Sequence, residues 1–264
     1  VNLDWQADWI DCQRVADLAG ADHRAETVPD SGAVRYCRTH FVGKNLDALA
    51  RGGPCVLLSS FSDASVTDTV AAALPANVLR WFSNNVDTAS PRVEALPIGF
   101  ISSADMLGCL VKQARQPRPP AKAALYVNFC KHHKAYGPMA DRLNTWYHFA
   151  RPAWRDWVLT AHQVPPEKFY ADIAACDYVL SPPGAGPDCH RHWEAIALGS
   201  IPVVKRSRAM KVLDDMPALL VDDWAEVTPE RLAAERPVLA ARFDAPAMHK
   251  LTLGYWRERI AACA

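Results

Sequence analysis

The sequence has no net charge. Its 264 residues hold 29 Lys and Arg against 29 Asp and Glu. That balance removes the basic excess that marks nucleic-acid binders, so no nucleic-acid partner is expected. Eight cysteines are present but no C-x-x-C pair, which argues against a zinc ribbon or a thiol redox motif. Several cysteines lie inside apolar runs, where they act as small hydrophobes. Reduced thiols and a cytoplasmic setting are therefore expected. No run of ~20 apolar residues exists, so no transmembrane helix is encoded here. No signal peptide opens the chain, and a start at Val1 rather than methionine leaves room for an upstream segment or anchor. No G-x-G-x-x-G follows the first clear strand, which argues against a dehydrogenase. Internal repeats, heptads and low-complexity tracts are also lacking.

What is there is a hydrophobic half of the sequence, enough for a large core or two small ones. The first fifty residues carry little pattern; VNLDWQADWIDC reads as strand or short helix. From Cys55 the pattern clears. CVLLSS, NVLRWFSNN and VEALPIGF read as strands. SVTDTVAAAL (Ser65 to Leu74) reads as a helix capped by Ser or Thr near its start, and SADMLGCLVKQAR as another. QPRPPAK (116–122) breaks the alternation, because its prolines cannot continue a helix; a domain boundary is expected there. Beyond it ALYVNF, DWVLTA, DYVLSPP, IPVVK and MPALLVDD read as strands. AYGPMADRLNTWYHFA, PPEKFYADIAAC, HRHWEAIALG and two terminal segments read as helices, with Pro237 expected to kink or split the first terminal one. Alternating strands and helices imply parallel sheets. The expected fold class is α/β: two Rossmann-like domains, over 1–117 and 118–245, facing a cleft. Ligands of such sheets sit beyond the carboxyl ends of the strands.

One stretch concentrates the chemistry: GAGPDCHRHWEAIALGSIPVV, from Gly184 to Val204. Gly184, Ala185 and Gly186 make a tight turn after a strand. A helix starts near Asp188 or Cys189, and its first turn offers free N–H groups and a positive dipole end to an anion. Arg191 adds a planar fork suited to phosphate oxygens, and His190 a further donor. Glu194, three residues on, shares a helix side with Arg191 and can accept from a ribose diol. Trp193 points elsewhere and packs. The set describes a nucleoside diphosphate site. A plain Arg191–Glu194 pair on a solvated face is the ordinary alternative.

This stretch, with the strands on either side of it, resembles the sugar-nucleotide site of exostosin-like glycosyltransferases and their small bacterial relatives. LSSFSDASV, WFSNNVD, LPIGF, LYVNFCKHH and MPALLVDDW extend the resemblance over about Cys55 to Trp224. It implies a GT-B fold and a hexosyl- or pentosyltransferase of polysaccharide biosynthesis. The donor would be a UDP-sugar, the acceptor a glycan or lipid-linked glycan, with peripheral membrane association in the latter case. No cofactor or metal is implied. Arg191 would hold the donor diphosphate and Glu194 its ribose. Gly184, Gly186 and His190 would shape the phosphate end, while Asn128 and Lys131 would lie across the cleft. The family commonly has a polar residue where Ala185 stands, so a side-chain contact is lost there. A last helix, within 246–264, would return to the first domain, with Tyr255, Trp256 and Ile260 on its apolar face.

Sugar transfer needs positive charge at the leaving diphosphate and, for inversion, a base for the acceptor hydroxyl. Asp63, after the strand CVLLSS, is the candidate base; a helix cap is its other reading. Asn84, Asn85 and Ser60 at strand ends are candidates for acceptor hydroxyls, the asparagines equally for turns. His132 and His133 lack further ligands at metal spacing, and Asp214–Asp215 and Asp222–Asp223 read as solvated caps. Trp146, Trp154 and Trp157 read as sugar-stacking or, more commonly, core residues. Two alternatives stay open: a non-catalytic nucleotide- or glycan-binding module, and a sugar-nucleotide epimerase of similar fold.

Overall fold

The computed structural model describes residues 8–131 and 139–264. Strands β1 (Val34–Tyr36), β2 (Cys55–Ser59), β3 (Val66–Thr67), β4 (Val78–Ser83), β5 (Val86–Asp87) and β6 (Val93–Ala95) come first. The rest are β7 (Ala123–Val127), β8 (Val158–Thr160), β9 (Cys176–Leu180), β10 (Ile201–Lys205) and β11 (Leu219–Val221). The α-helices are α1 (Arg14–Asp17), α2 (Leu46–Arg51), α3 (Asp68–Ala72), α4 (Ala104–Ala114), α5 (Met139–Phe149), α6 (Pro166–Ala174), α7 (His190–Ala197), α8 (Pro229–Ala241) and α9 (Leu253–Ala261).

Among the described residues two larger parallel sheets form, ordered β1-β2-β4-β6 and β11-β10-β9-β7-β8, beside a two-stranded parallel pair of β3 and β5. Continuous apolar runs such as Cys55–Ser59 are buried along their whole length, the pattern of strands covered on both faces. The α/β class with two Rossmann-like sheets is thus the architecture of the chain. Strand β1, which pairs Arg35 with Leu57, lies in the stretch that showed no readable pattern. Its three residues are too few for a period of two to register.

Some local expectations give way. Ser65 to Leu74 is not one helix: Val66–Thr67 first pairs with Val86–Asp87, and α3 starts only at Asp68. No side chain caps α3; the Asp68 carboxylate instead accepts from Thr88 Oγ1 at 2.6 Å and from the Ala89 N–H at 3.0 Å. Pro237 does not split α8, which runs from Pro229, at its first turn, through to Ala241. Helix α4 precedes the 116–122 segment yet packs on α6. Its Leu110 shares a core with Tyr126, Tyr170 and Trp193 of the second sheet. Packing therefore changes from the first sheet to the second before the prolines, with Phe100 already in the second sheet's core.

The chain returns at its end. Leu253, Trp256 and Ile260 of α9 bury against Tyr36, Val56, Leu58 and Phe82 of the first sheet. The Trp256 Nε1–H donates to the Lys250 carbonyl at 3.0 Å, so this 2 % exposed indole leaves no polar group unpaired. Trp146 with Trp154 and Trp157 packs on the other face of the second sheet with Phe149 and Val158. Among the described residues no helix is long and apolar enough to cross a membrane.

Trp256→Ala is expected to lower unfolding free energy by about 3–5 kcal/mol, the cost of emptying an aromatic core site. Urea titration measures it. A loss below about 1 kcal/mol would mean that α9 contributes nothing to the first sheet's core.

Candidate functional site

The two sheets meet through a short set of polar contacts at the carboxyl ends of their strands. Asp188, in the loop between β9 and α7, reaches across the junction. Its Oδ2 accepts from the Ile98 backbone N–H at 2.7 Å, and its Oδ1 accepts from Trp193 Nε1–H at 2.9 Å. Its own N–H donates to Asn85 Oδ1 at 3.0 Å. Asn85 has φ +54°, a left-handed conformation asparagine tolerates, and its Nδ2 donates to the Ser62 carbonyl. A Cβ on Gly186 would lie 2.7 Å from Asn85 Nδ2, so this position admits only glycine without a shift. His190 completes the seam. Its Nδ1 lies 2.8 Å from the Gly99 carbonyl. A carbonyl only accepts, so Nδ1 carries the proton and Nε2 is left for a ligand.

Beside this seam lies a cavity of about 360 Å³. Its walls include Gly184, Ala185, Gly186, Asp188, His190 and Arg191 from the second sheet, and Asp63 and Ile98 from the first. Of the residues assigned to the donor from sequence, these six line one space. Asp188 serves it differently from the expectation. Both carboxylate oxygens are committed to N–H donors, so it positions the wall and offers no donor to a phosphate.

Glu194 is not brought to this cavity. It is 3 % exposed and accepts from the Tyr170 hydroxyl at 3.1 Å; burial pushes its carboxyl upward. One turn beyond Arg191, it has passed under α6, which the spacing alone could not reveal. Asn128 donates to the Tyr126 hydroxyl at 2.8 Å, and Lys131 Nζ sits 4.9 Å from the Trp146 ring centre. Neither lines the cavity. His132 and His133 lie outside the described residues; among the described ones no group of three or more His, Cys, Asp and Glu is placed to hold a metal. Asp223 does cap, accepting from the Ala225 N–H in a capping box with Glu226.

Sequence reading missed Arg142. It stands on α5 four residues before Trp146 and seven before Phe149, on the buried stripe of that helix, and an arginine at such a position is a readable signal. It is 4 % exposed. Its Nε donates to the Cys130 carbonyl at 2.9 Å and its Nη1 to the Pro183 carbonyl. Burial, and then the charge of Arg191, bring its pKa down to about 10. Both guanidinium groups stand over the Phe129 ring, at 5.0 and 5.7 Å. Neither has a carboxylate partner among the described residues. Among the described residues these two cations share a wall with no carboxylate, the Cys189 sulfur being the acidic group beside them, and such an arrangement favours a bound anion.

Cys189 also lines this wall. Its Sγ lies 3.5 and 3.6 Å from the two ring nitrogens of His192, which is fully buried. Burial opposes the thiolate, but the charges of His192 and Arg191 outweigh it and move the thiol below its ordinary value.

A second cavity of about 540 Å³ adjoins the first and shares Asp63, Ile98 and His190 with it. Its other walls are Cys12, Arg38, His40, Phe61, Ser62 and Ala64. Asp63 is exposed here. It does not cap a helix, since α3 begins five residues later. The acceptor candidates Ser60, Asn84 and Asn85 do not line this space. Ser60 Oγ is buried between the Tyr36 hydroxyl and the Cys12 carbonyl. Asn84, like Asn85, donates to the Ser62 carbonyl. Strand-end position suggested exposure, but all three are buried: the Ser62 carbonyl takes both asparagine Nδ2 groups, and Asn84 Oδ1 has no partner among the described residues.

The arrangement is thus two Rossmann-like sheets with a charged pocket in the cleft between their strand ends. Among solved structures the chain is similar to a UDP-forming α,α-trehalose-phosphate synthase from Burkholderia xenovorans. Identity is 13 %, over 87 % of this chain and 72 % of that one, with a TM-score of 0.49. A second such synthase, from Burkholderia vietnamiensis, is 13 % identical over 87 % and 71 %, with a TM-score of 0.46. A GtfA/B complex is 11 % identical over 85 % and 53 %, with a TM-score of 0.38. No family model and no curated protein matches the sequence. Likeness at this level says nothing of the reaction, which has to be read from the site's own side chains.

Burial raises the Asp188 carboxyl to about 6, against 3.8 for a free side chain, with His192 and the N–H donors opposing. The native state then holds a proton that the unfolded chain has released, so this group costs stability as pH rises from about 4 to 6. Over that range the native chain is expected to lose stability relative to Asp188→Asn, as read from paired urea midpoints. A gap moving the other way would show that the N–H bonds outweigh burial.

Proposed function

We propose that the chain is a glycosyltransferase that moves a sugar from a nucleoside diphosphate donor, a UDP-sugar, to a hydroxyl of a glycan acceptor. The observation that carries this reading is the convergence of Arg142 and Arg191, both without an acid partner among the described residues, on the wall formed by Gly184–Gly186 and the start of α7. Paired guanidinium forks match the oxygens of a diphosphate. They favour the leaving group most as its charge grows, which is where binding accelerates a reaction. With its proton on Nδ1, His190 presents Nε2 as an acceptor, so on this wall it meets a hydroxyl of the donor and not, as the sequence suggested, the phosphate oxygens. UDP is the nucleotide suggested by the sequence resemblance.

Asp63 supplies the second requirement. It stands where the two cavities join, so a hydroxyl held in the larger one and an anomeric carbon held in the smaller one both lie within its surroundings. In an inverting displacement the acceptor oxygen bonds to the anomeric carbon from one face. The bond to the diphosphate oxygen breaks on the other, and its electron pair leaves with the diphosphate. Asp63 takes the hydroxyl proton.

Calorimetric titration of UDP, GDP and CMP tests the donor. UDP binding weakened in Arg191→Ala by on the order of 2 kcal/mol, the scale of a lost charged hydrogen bond, is the expected result. Absence of binding by all three nucleotides would sink the phosphate-site reading. With a turnover assay in hand, Asp63→Asn is expected to lower kcat by about 10²–10⁴-fold while leaving UDP affinity unchanged. Retained turnover would remove Asp63 from the base role.

A further inference from the structure

The larger cavity has a chemistry of its own. Arg38 lies on its wall, half-buried, with its Nε donating to the Phe61 carbonyl at 3.3 Å. The guanidinium carbon is 5.5 Å from the Phe61 ring centre and 5.7 Å from that of Phe41. Phe61 has φ +52°, a strained conformation for a bulky residue, and such strain gathers at functional sites. It fixes the carbonyl that orients Arg38. His40 Nδ1 is 3.0 Å from Ser62 Oγ, and both line the same wall. Among the described residues no carboxylate forms an ion pair with Arg38. The Nη groups of Arg38 form no hydrogen bond among the described residues.

An arginine oriented by stacking and by one carbonyl, with its fork free beside a histidine and a hydroxyl, is built to hold an oxyanion. The donor diphosphate is already matched by Arg142 and Arg191 on the far side of Asp63. We propose that this cavity is an acceptor site for a sugar bearing an oxyanion, a phosphate or a carboxylate. Arg38 holds that group, with His40 and Ser62 beside it, and a neighbouring hydroxyl of the same sugar meets Asp63. The inference rests on the donor reading for the direction of transfer, but the anion site at Arg38 stands separately. Arg38 thus sets acceptor specificity, through a charge that neutral sugars lack.

The experiment uses the full chain with UDP saturating, so that the donor anion site is filled. A hexose phosphate, a hexuronic acid and a neutral hexose are titrated by calorimetry, on the native chain and on Arg38→Gln and Arg38→Lys. At least one anionic sugar is expected to bind ten-fold or more tighter than the neutral one. Arg38→Gln should remove that preference, Arg38→Lys should restore part of it, and UDP affinity should stay constant. Whichever anionic sugar binds better identifies phosphate or carboxylate as the group held. Equal affinity for charged and neutral sugars, or an anionic preference that survives Arg38→Gln, overturns the proposal. Failure of UDP to bind speaks against the donor reading alone. The sugar titrations are then run on Arg191→Ala, whose donor-side anion site is weakened. If Arg38→Gln does not fold, phenylglyoxal labelling of the native chain decides. The anionic sugar should protect Arg38 and the neutral one should not; equal labelling overturns the proposal.

Discussion

The site depends on how Asp188 is held. One carboxylate joins the Ile98 N–H of the first sheet to the Trp193 indole of the second, while its backbone N–H is taken by Asn85. A buried charge is costly unless its oxygens are filled, and these are filled from both sides of the cleft. The seam therefore has a defined register. It sets Asp63 facing Arg191 and puts His190 on the wall of both cavities. Gly186 belongs to the same constraint, because any larger residue would push Asn85 away from the contact.

Around that seam the two halves divide the chemistry. The second sheet supplies cations and a turn of glycines at one strand end. The first supplies Asp63 and a wall of Arg38, His40 and Ser62. The guanidinium pair over Phe129 is the less usual part. Cations that repel one another, with no carboxylate paired to them among the described residues, are stabilised by an anion that enters beside them. Arg142 is lowered to about 10 first by its burial and then by the charge of Arg191.

Much of the fold was legible. Buried parallel strands are continuous apolar runs, so CVLLS, CDYVL and IPVVK announce themselves, and Gly199, at φ +78°, ends α7 where its position suggests. The turn at Gly184–Gly186 and the helix start after it were legible, and Gly184, Ala185, Gly186, His190 and Arg191 do line one cavity. What failed to show was direction and depth. Glu194 and Arg191 share a spacing, but only the packing of α6 decides that one meets Tyr170 and the other meets the cleft. Ser60, Asn84 and Asn85 sit at strand ends, and only the course of the 61–65 loop decides that they are covered. Arg38 and His40 lie in a stretch whose one strand is three residues long, where periodicity has nothing to act on. Arg142 is the instructive case, since its place on an apolar stripe was visible and its neighbour in space was not.

The return of α9 has a consequence for how the chain is made. Phe82 and Leu58 are finished as a core only when Leu253, Trp256 and Ile260 arrive, about 170 residues after Phe82 has left the ribosome, by the numbering of the sequence. The strands of the second sheet are nearly contiguous, and its core is filled by Met248 and Leu251 just before α9 begins. During synthesis the half that carries Asp63 waits, with part of its apolar face uncovered, for the last part of this sequence. The side of the cleft written first is completed last, so no assembled site exists until nearly all of these residues are present.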